Sequence, residues 1–285
     1  MNELSLIRSI RRYTASGRRD PALIAGIGDD CAILRPRAHE DLLLTTDFLI
    51  EDVHFRRKTH TTVDTGWRAL ARGLSDIAAM GGDARYALIS LALPPWVRAS
   101  YVRDLYKGFN LLATQHGVRI IGGDVTRTAK LTIDVVVIGA VPRGRALRRS
   151  GARPGDVVCV SGALGRAAVS KYRARPEPRL ALGRKLRGKA TACMDLSDGL
   201  AMDLHRLCLE SGVAAALDGV LPCAPGATIE QALQGGEDYE LLCTLPPRQP
   251  VPRGFVRIGV VLSGKPGTVT FAGAPLPPSG WDPLA

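Results

Sequence analysis

Apolar and polar positions along this chain follow two periods in turn, one of two residues and one near 3.6. Short apolar runs bounded by Gly, Pro or Asp predict strands at residues 42–46, 86–93, 118–121, 131–141, 156–161, 191–194, 213–217, 241–245 and 256–262. Two more, 23–27 and 31–34, flank the turn Gly28-Asp29-Asp30. Between them, helical spacing recurs. Leu6, Ile7 and Ile10 predict a short helix over 4–13, and Trp67, Leu70, Leu74 and Ile77 predict one through Met80 that Gly81-Gly82 stops. Asp64 or Thr65 is the expected N-cap of that second helix. Further helices are expected over 96–116, closed by Gly117, over 164–172, from about 200 to Ser211 after a cap at Ser197 or Asp198, and over 229–233. Alternating strands and helices make this an α/β chain. Arg143, Arg145, Arg148, Arg149 and Arg153, in a Pro- and Gly-containing stretch, mark the boundary between an N-terminal domain, 1–142, and a C-terminal one, 143–285.

The polar residues that interrupt this pattern are acidic, and they sit where regular elements begin or end. Leu43-Leu44-Thr45-Thr46-Asp47, Leu74-Ser75-Asp76, Gly122-Gly123-Asp124 and Met194-Asp195-Leu196-Ser197-Asp198 join Asp30 in offering hard oxygen donors, the ligands that hydrated Mg²⁺ takes. Any one of them is equally a solvated turn or a cap. Together they predict a cage, since like charges ~4 Å apart repel by ~4 kcal/mol at an effective dielectric of ~20 unless cations separate them. Mg²⁺ prefers one or two carboxylates per ion plus water and phosphate oxygens, so several acids imply several ions bridged by polyphosphate. The glycines before Asp124 suit a backbone that approaches a phosphate closely.

Composition narrows the partners. A formal net charge of +11 favours anionic ligands, and the basic stretches 143–153 and 171–189 raise nucleic acid as an alternative. That alternative leaves the acids without purpose, and 5% aromatic residues offer little for base stacking. Gly183 to Ala190 nearly spells a phosphate-binding loop, but Ala190 replaces the required Ser or Thr and no strand precedes it. Six scattered cysteines without a Cys-x-x-Cys pair indicate reduced thiols and a cytoplasmic protein. No apolar stretch is long enough to span a bilayer.

In order, Gly26-Ile27-Gly28-Asp29-Asp30-Cys31-Ala32, Thr45-Thr46-Asp47, Leu74-Ser75-Asp76-Ile77-Ala78-Ala79-Met80-Gly81, Ile121-Gly122-Gly123-Asp124, Arg149-Ser150-Gly151-Ala152, Asp195-Leu196-Ser197-Asp198-Gly199-Leu200 and Gly235-Gly236-Glu237-Asp238-Tyr239-Glu240-Leu241 resemble the thiamine-monophosphate kinases. These belong to the ATP-binding superfamily of aminoimidazole ribonucleotide synthetase. The resemblance runs from near Leu4 to Trp281. It implies an α/β (α+β) fold of two α/β domains: an N-terminal mixed sheet that binds ATP and Mg²⁺ and pairs across a homodimer, and a C-terminal domain that closes on substrate. It implies conversion of thiamine monophosphate to thiamine diphosphate with ATP as co-substrate. The same resemblance implies Mg²⁺ contacts at Asp30, Thr45, Thr46, Asp47, Asp76, Asp124, Asp195 and Asp198, and nucleotide contacts at Tyr106, Gly123, Asp124, Arg149 and Ser197. Substrate contacts are implied at His54, Glu237 and Trp281. Asp47, Asp124, Asp195 and Arg149 are the expected catalytic residues. The chain departs from the family's usual ending, with Asp282-Pro283-Leu284-Ala285 after Trp281. Another superfamily member with a different acceptor is the nearest alternative. The acceptor, a phosphate monoester, is already anionic at neutral pH and needs no general base, so direct in-line transfer without a phosphoenzyme is expected.

Overall fold

A computed structural model describes Ile10, Arg12 and Thr14 and residues 21–25 and 33–281. The expected helix over 4–13 falls largely outside the described residues, as do the Gly28-Asp29-Asp30 turn and the last four residues. The chain divides into two compact units, residues 1–77 with 83–143, and residues 78–82 with 144–285.

In the first unit, β1 (Leu23–Ala25) and β2 (Ile33–Leu34) form a small antiparallel pair. The main sheet is built from β3 (Glu40–Ile50), β4 (Asp83–Leu93), β5 (Arg119–Gly122), β6 (Val125–Arg127) and β7 (Thr132–Pro142). Its order is β3-β7-β4-β5, with β6 also pairing β4. The pairs of β7 with β3 and β4 are antiparallel, whereas β5 and β6 run parallel to β4, so the sheet is mixed. β3 is longer than its sequence predicts. Asp47 therefore lies within a strand rather than at its end, because all eleven residues of β3 find partners on β7.

Alternation along β3 separates two environments. Leu43 and Leu49 are buried, whereas Leu42, Leu44 and Phe48 are exposed on the opposite face. The buried face is covered by α1 (Thr62–Ala79), whose Ile77 packs on Gly139 of β7. The cap of α1 is Thr61, not Asp64 or Thr65. The Thr61 hydroxyl oxygen accepts the Asp64 N–H at 3.1 Å, and the hydroxyl donates to the Asp64 carboxylate at 2.6 Å. The next helix, α2 (Ala99–His116), begins three residues later than its apolar spacing suggests, because residues 94–98 after the paired prolines form an irregular turn. Gly117, at φ 68°, ends it by donating its N–H to Ala113 and Thr114.

The second unit holds β8 (Val157–Ser161), α3 (Arg166–Val169), α4 (Leu180–Leu186), β9 (Ala192–Asp195), α5 (Leu200–Ser211), β10 (Ala214–Leu217), α6 (Ile229–Gln234), β11 (Leu241–Leu245), β12 (Phe255–Leu262), β13 (Val269–Phe271) and β14 (Ala274–Pro275). Its seven-stranded sheet has the order β14-β13-β10-β12-β8-β11-β9, antiparallel except between β10 and β13. Val158, Val160, Met194, Leu242 and Ile258 of the sheet share one core with Leu200, Leu204 and Leu207 of α5.

Here the structure departs from the sequence pattern, which predicts neither α4 nor β13 and β14. The helix expected over 164–172 shrinks to the single turn of α3, because Lys171 and Tyr172 take left-handed conformations (φ 53° and 59°) that end it. The near-match to a phosphate-binding loop at 183–190 is largely the helix α4 and its end, where Leu180 and Leu186 are buried. Among the described residues no helix is long and apolar enough to cross a membrane.

Candidate functional site

Two groups of polar side chains, one in each unit, stand out from the cores that carry them. In the first unit, Thr45 and Asp47 lie two apart on β3 and face α1, where Asp76 occupies the last turn. The Thr45 hydroxyl donates to the Asp76 carboxylate. Gly73 makes this approach possible, since a Cβ there would meet Val137 Cγ2 at 2.6 Å and Thr45 Cγ2 at 3.6 Å. Burial first, and then the neighbouring charge of Asp76, push the Asp47 carboxyl up to about 7. Arg72 opposes this shift. It sits one turn before Asp76 on the same helix face, with its Nε 3.6 Å from Asp47 Oδ1.

His54 follows on the loop after β3. Its Nδ1 accepts the Ile50 N–H at 3.0 Å, which leaves Nε2 to carry the proton of the neutral ring. Burial, reinforced by the Arg72 charge, depresses its pKa to about 4, so the imidazole is neutral at pH 7. The loop is held by buried Glu51, which pairs with Arg57 and accepts the Leu131 N–H at 3.3 Å. Arg57 in turn lies over the Trp96 ring, 3.9 Å from its centroid.

Not every expected residue joins this group. Thr46 points to the other face of the sheet, as its place between Thr45 and Asp47 requires, and its hydroxyl donates to Asp134 at 2.5 Å. Gly123 and Asp124 lie in the same row across the sheet as Asp47: Asp47 pairs with Val135, Val135 with Ile89, and Gly123 abuts Ile89. Three strand spacings separate them, roughly 14 Å along the sheet. Gly123 has φ 147°, and a Cβ would stand 1.9 Å from the Ile89 carbonyl oxygen, so only glycine fits there. Tyr106 is a core residue of α2, 2% exposed and edge-on to Phe109 at 5.4 Å between centroids. Asp30 lies outside the described residues.

In the second unit the turn between β9 and α5 gathers the remaining candidates. Asp195 is buried at the end of β9, opposite Leu241. Ser197 accepts the Glu237 N–H at 2.7 Å through its carbonyl, and Asp198 accepts the Trp281 N–H at 2.9 Å in the same way. Glu237 and Trp281 are thus brought to the turn that carries Ser197 and Asp198. Glu237 and Tyr239 both adopt left-handed backbones, φ 64° and 51°, strain of the kind that concentrates at functional sites. Arg149 is exposed, and its carbonyl accepts the Ser211 hydroxyl at 2.9 Å.

Sequence patterns alone do not reveal what holds this turn. Neither Ser197 nor Asp198 caps α5 with its side chain. Asp203, fully buried in the helix's first turn, accepts the N–H groups of Asp198 and Gly199 at 3.0 and 3.2 Å. Arg206 pairs with both Asp198 and Asp203. Asp238 and Glu240 of the acidic loop are likewise structural. Asp238 caps α3 by accepting N–H groups of Gly165 and Ala167, and Glu240 accepts from Ser161 at 2.5 Å and from Arg179 Nε at 2.8 Å.

The donor set of the first unit fits Mg²⁺. Two carboxylates and a hydroxyl, with one carboxylate pushed towards holding a proton by burial and then by its neighbour, suit a hard divalent cation that keeps water and substrate oxygens in its remaining positions. Among the described residues no group of three or more His, Cys, Asp or Glu is gathered that could hold a metal ion, so the cage expected from the sequence is not found there.

Comparison with known proteins places this chain in a family. Residues 28–141 match the N-terminal domain of AIR synthase related proteins. The thiamine-monophosphate kinase of Bacillus subtilis is 35% identical over 276 residues, which cover 86% of this chain and 84% of the relative. The crystal structure of thiamine-monophosphate kinase from Stenotrophomonas maltophilia superposes with a TM-score of 0.83 at 36% identity, covering 96% of this chain and 98% of the other. A ThiL protein solved in complex with AMPPCP and TMP gives a TM-score of 0.80 at 34% identity, with 98% and 96% covered. With two α/β units, a mixed sheet in the first, and this likeness over nearly its whole length, the chain belongs to the thiamine-monophosphate kinase family.

Proposed function

We propose that this protein transfers the γ-phosphoryl group of ATP to thiamine monophosphate, giving thiamine diphosphate and ADP. The observation that carries the reading is the Thr45–Asp47–Asp76 group beside a neutral His54, in a chain 34% identical to a relative solved with AMPPCP and TMP. Thr45, Asp47 and Asp76 would hold Mg²⁺ in the first unit, and Asp124, Asp195 and Asp198 would supply ligands for further ions. When bound, Mg²⁺ neutralises phosphate charge and bridges polyanions that otherwise repel.

The chain's own residues have three tasks. Gly123 brings backbone close to a polyphosphate, and Ser197 and Arg149 add donors for the nucleotide. His54, neutral and protonated on Nε2, donates a hydrogen bond to the acceptor rather than exchanging a proton with it. Glu237 and Trp281 present a carboxylate and a ring to the cationic, aromatic thiamine. An oxygen of the acceptor phosphate attacks the γ-phosphorus in line while the bond to the β-phosphate oxygen breaks, and no residue is phosphorylated. Tyr106, buried in the core, has no part in this proposal.

We further propose a homodimer. β3 is an edge strand, and Leu42, Leu44 and Phe48 expose 44%, 67% and 56% of their surface on its open face, a patch suited to a second copy. Leu44→Glu would then give monomers in sedimentation. The reaction belongs in the cytoplasm, where the five described cysteines, all free thiols, persist reduced. Incubation with ATP, Mg²⁺ and thiamine monophosphate should yield thiamine diphosphate. Absence of product, with turnover of another phosphate acceptor, would overturn the reading.

A further inference from the structure

The family resemblance assigns no role to Arg72, yet it stands between the two chemistries of the first unit. On one side its guanidinium is 3.6 Å from the Asp47 carboxylate, and one helical turn on lies Asp76. On the other, its charge acts on the His54 ring, whose Nδ1 accepts the Ile50 N–H. The side chain is 16% exposed, so most of its length is fixed by packing on α1. A phosphate monoester near His54 would meet two carboxylates that repel it. A guanidinium with its planar fork of donors is the group that binds such a dianion in two places at once.

We infer that Arg72 is the anchor for the acceptor phosphate, and that with His54 it makes this enzyme select thiamine monophosphate over unphosphorylated thiamine. Its ion pair with Asp47 keeps the fork beside the metal-binding carboxylate, so the phosphate it holds is presented to the transferring group. The inference rests on the thiamine monophosphate reading.

The test is Arg72→Gln, with Arg72→Lys as a second variant that keeps the charge and loses the fork. KM for thiamine monophosphate should rise roughly 10- to 100-fold in Arg72→Gln, the loss expected for a charge-assisted bond, while KM for ATP is unchanged. Arg72→Lys should fall between the two. Calorimetry in Mg²⁺ without ATP should show that wild type binds thiamine monophosphate more tightly than thiamine, and that Arg72→Gln abolishes the preference. An unchanged KM for thiamine monophosphate, with a changed Mg²⁺ requirement, would overturn the inference and make Arg72 a counter-ion for Asp47 only. If Arg72→Gln does not fold, an Arg72→Lys variant with wild-type KM and wild-type preference overturns it equally. Failure of wild type to phosphorylate thiamine monophosphate at all would instead remove the proposed function.

Discussion

Asp76→Asn separates the two consequences of pairing carboxylates. The substitution keeps the shape of the side chain and an oxygen to accept the Thr45 hydroxyl, but removes one negative charge beside Asp47. Two carboxylates about 4 Å apart repel by ~4 kcal/mol at an effective dielectric of ~20. Arg72 at 3.6 Å offsets part of this and the Asp47 side chain is 24% exposed, so about 1–2 kcal/mol should be recovered. The sign depends on pH. Asp47 is raised from 3.8 to about 7 in the folded state, so the folded protein binds more protons across that window and loses stability as pH rises through it. Asp76→Asn relieves the part of that loss that the Asp76 charge causes, while the part due to burial remains. In EDTA the variant should therefore be more stable than wild type at pH 8, and the gain should fade towards pH 5, where Asp47 is protonated. Urea denaturation at the two pH values measures the difference. Turnover at limiting Mg²⁺ should meanwhile drop on the order of 100-fold, as for loss of a preorganised charge contact. Equal stability of the two proteins at pH 8, or wild-type turnover in the variant, would refute the pairing of these acids as a cation site.

Other changes test other parts of the site. Gly123→Ala places a Cβ 1.9 Å from a strand carbonyl and demands φ near 147°, so the variant should be destabilised by about 3 kcal/mol or more, seen as a lowered melting temperature. Asp203→Ala leaves a buried and a part-buried N–H group at the start of α5 without their acceptor; a loss of about 2–3 kcal/mol is expected by denaturation, with the turn at Asp198 loosened. His54 contributes with the opposite sign to Asp47. Its depressed pKa, about 4 against 6.5, gives a contribution to stability present above pH 6.5 and lost as pH falls towards 4, and His54→Gln should remove that acid-side loss from the pH profile of unfolding.

What the sequence determined by itself was most of the regular elements and the family. Apolar periodicity located the core strands and long helices to within a few residues, because burial of one face dictates that spacing, but it missed the short strands β6, β13 and β14. Thr46 and Tyr106, expected to touch metal and nucleotide, turn instead to Asp134 on the other face of the sheet and into the core beside Val102, Leu105 and Phe109. Only the tertiary structure decided which acids meet. Asp47 and Asp76 are 29 positions apart and touch because β3 and α1 pack closely at Gly73, whereas Asp238 and Glu240, equally acidic in the sequence, are spent on capping and on Arg179. Arg72 and Asp203 look like ordinary helical charges until packing sets one against Asp47 and buries the other beneath the Asp198 turn. A carboxylate's role follows from the partners and solvent around it, and those are fixed by long-range packing that no local pattern encodes.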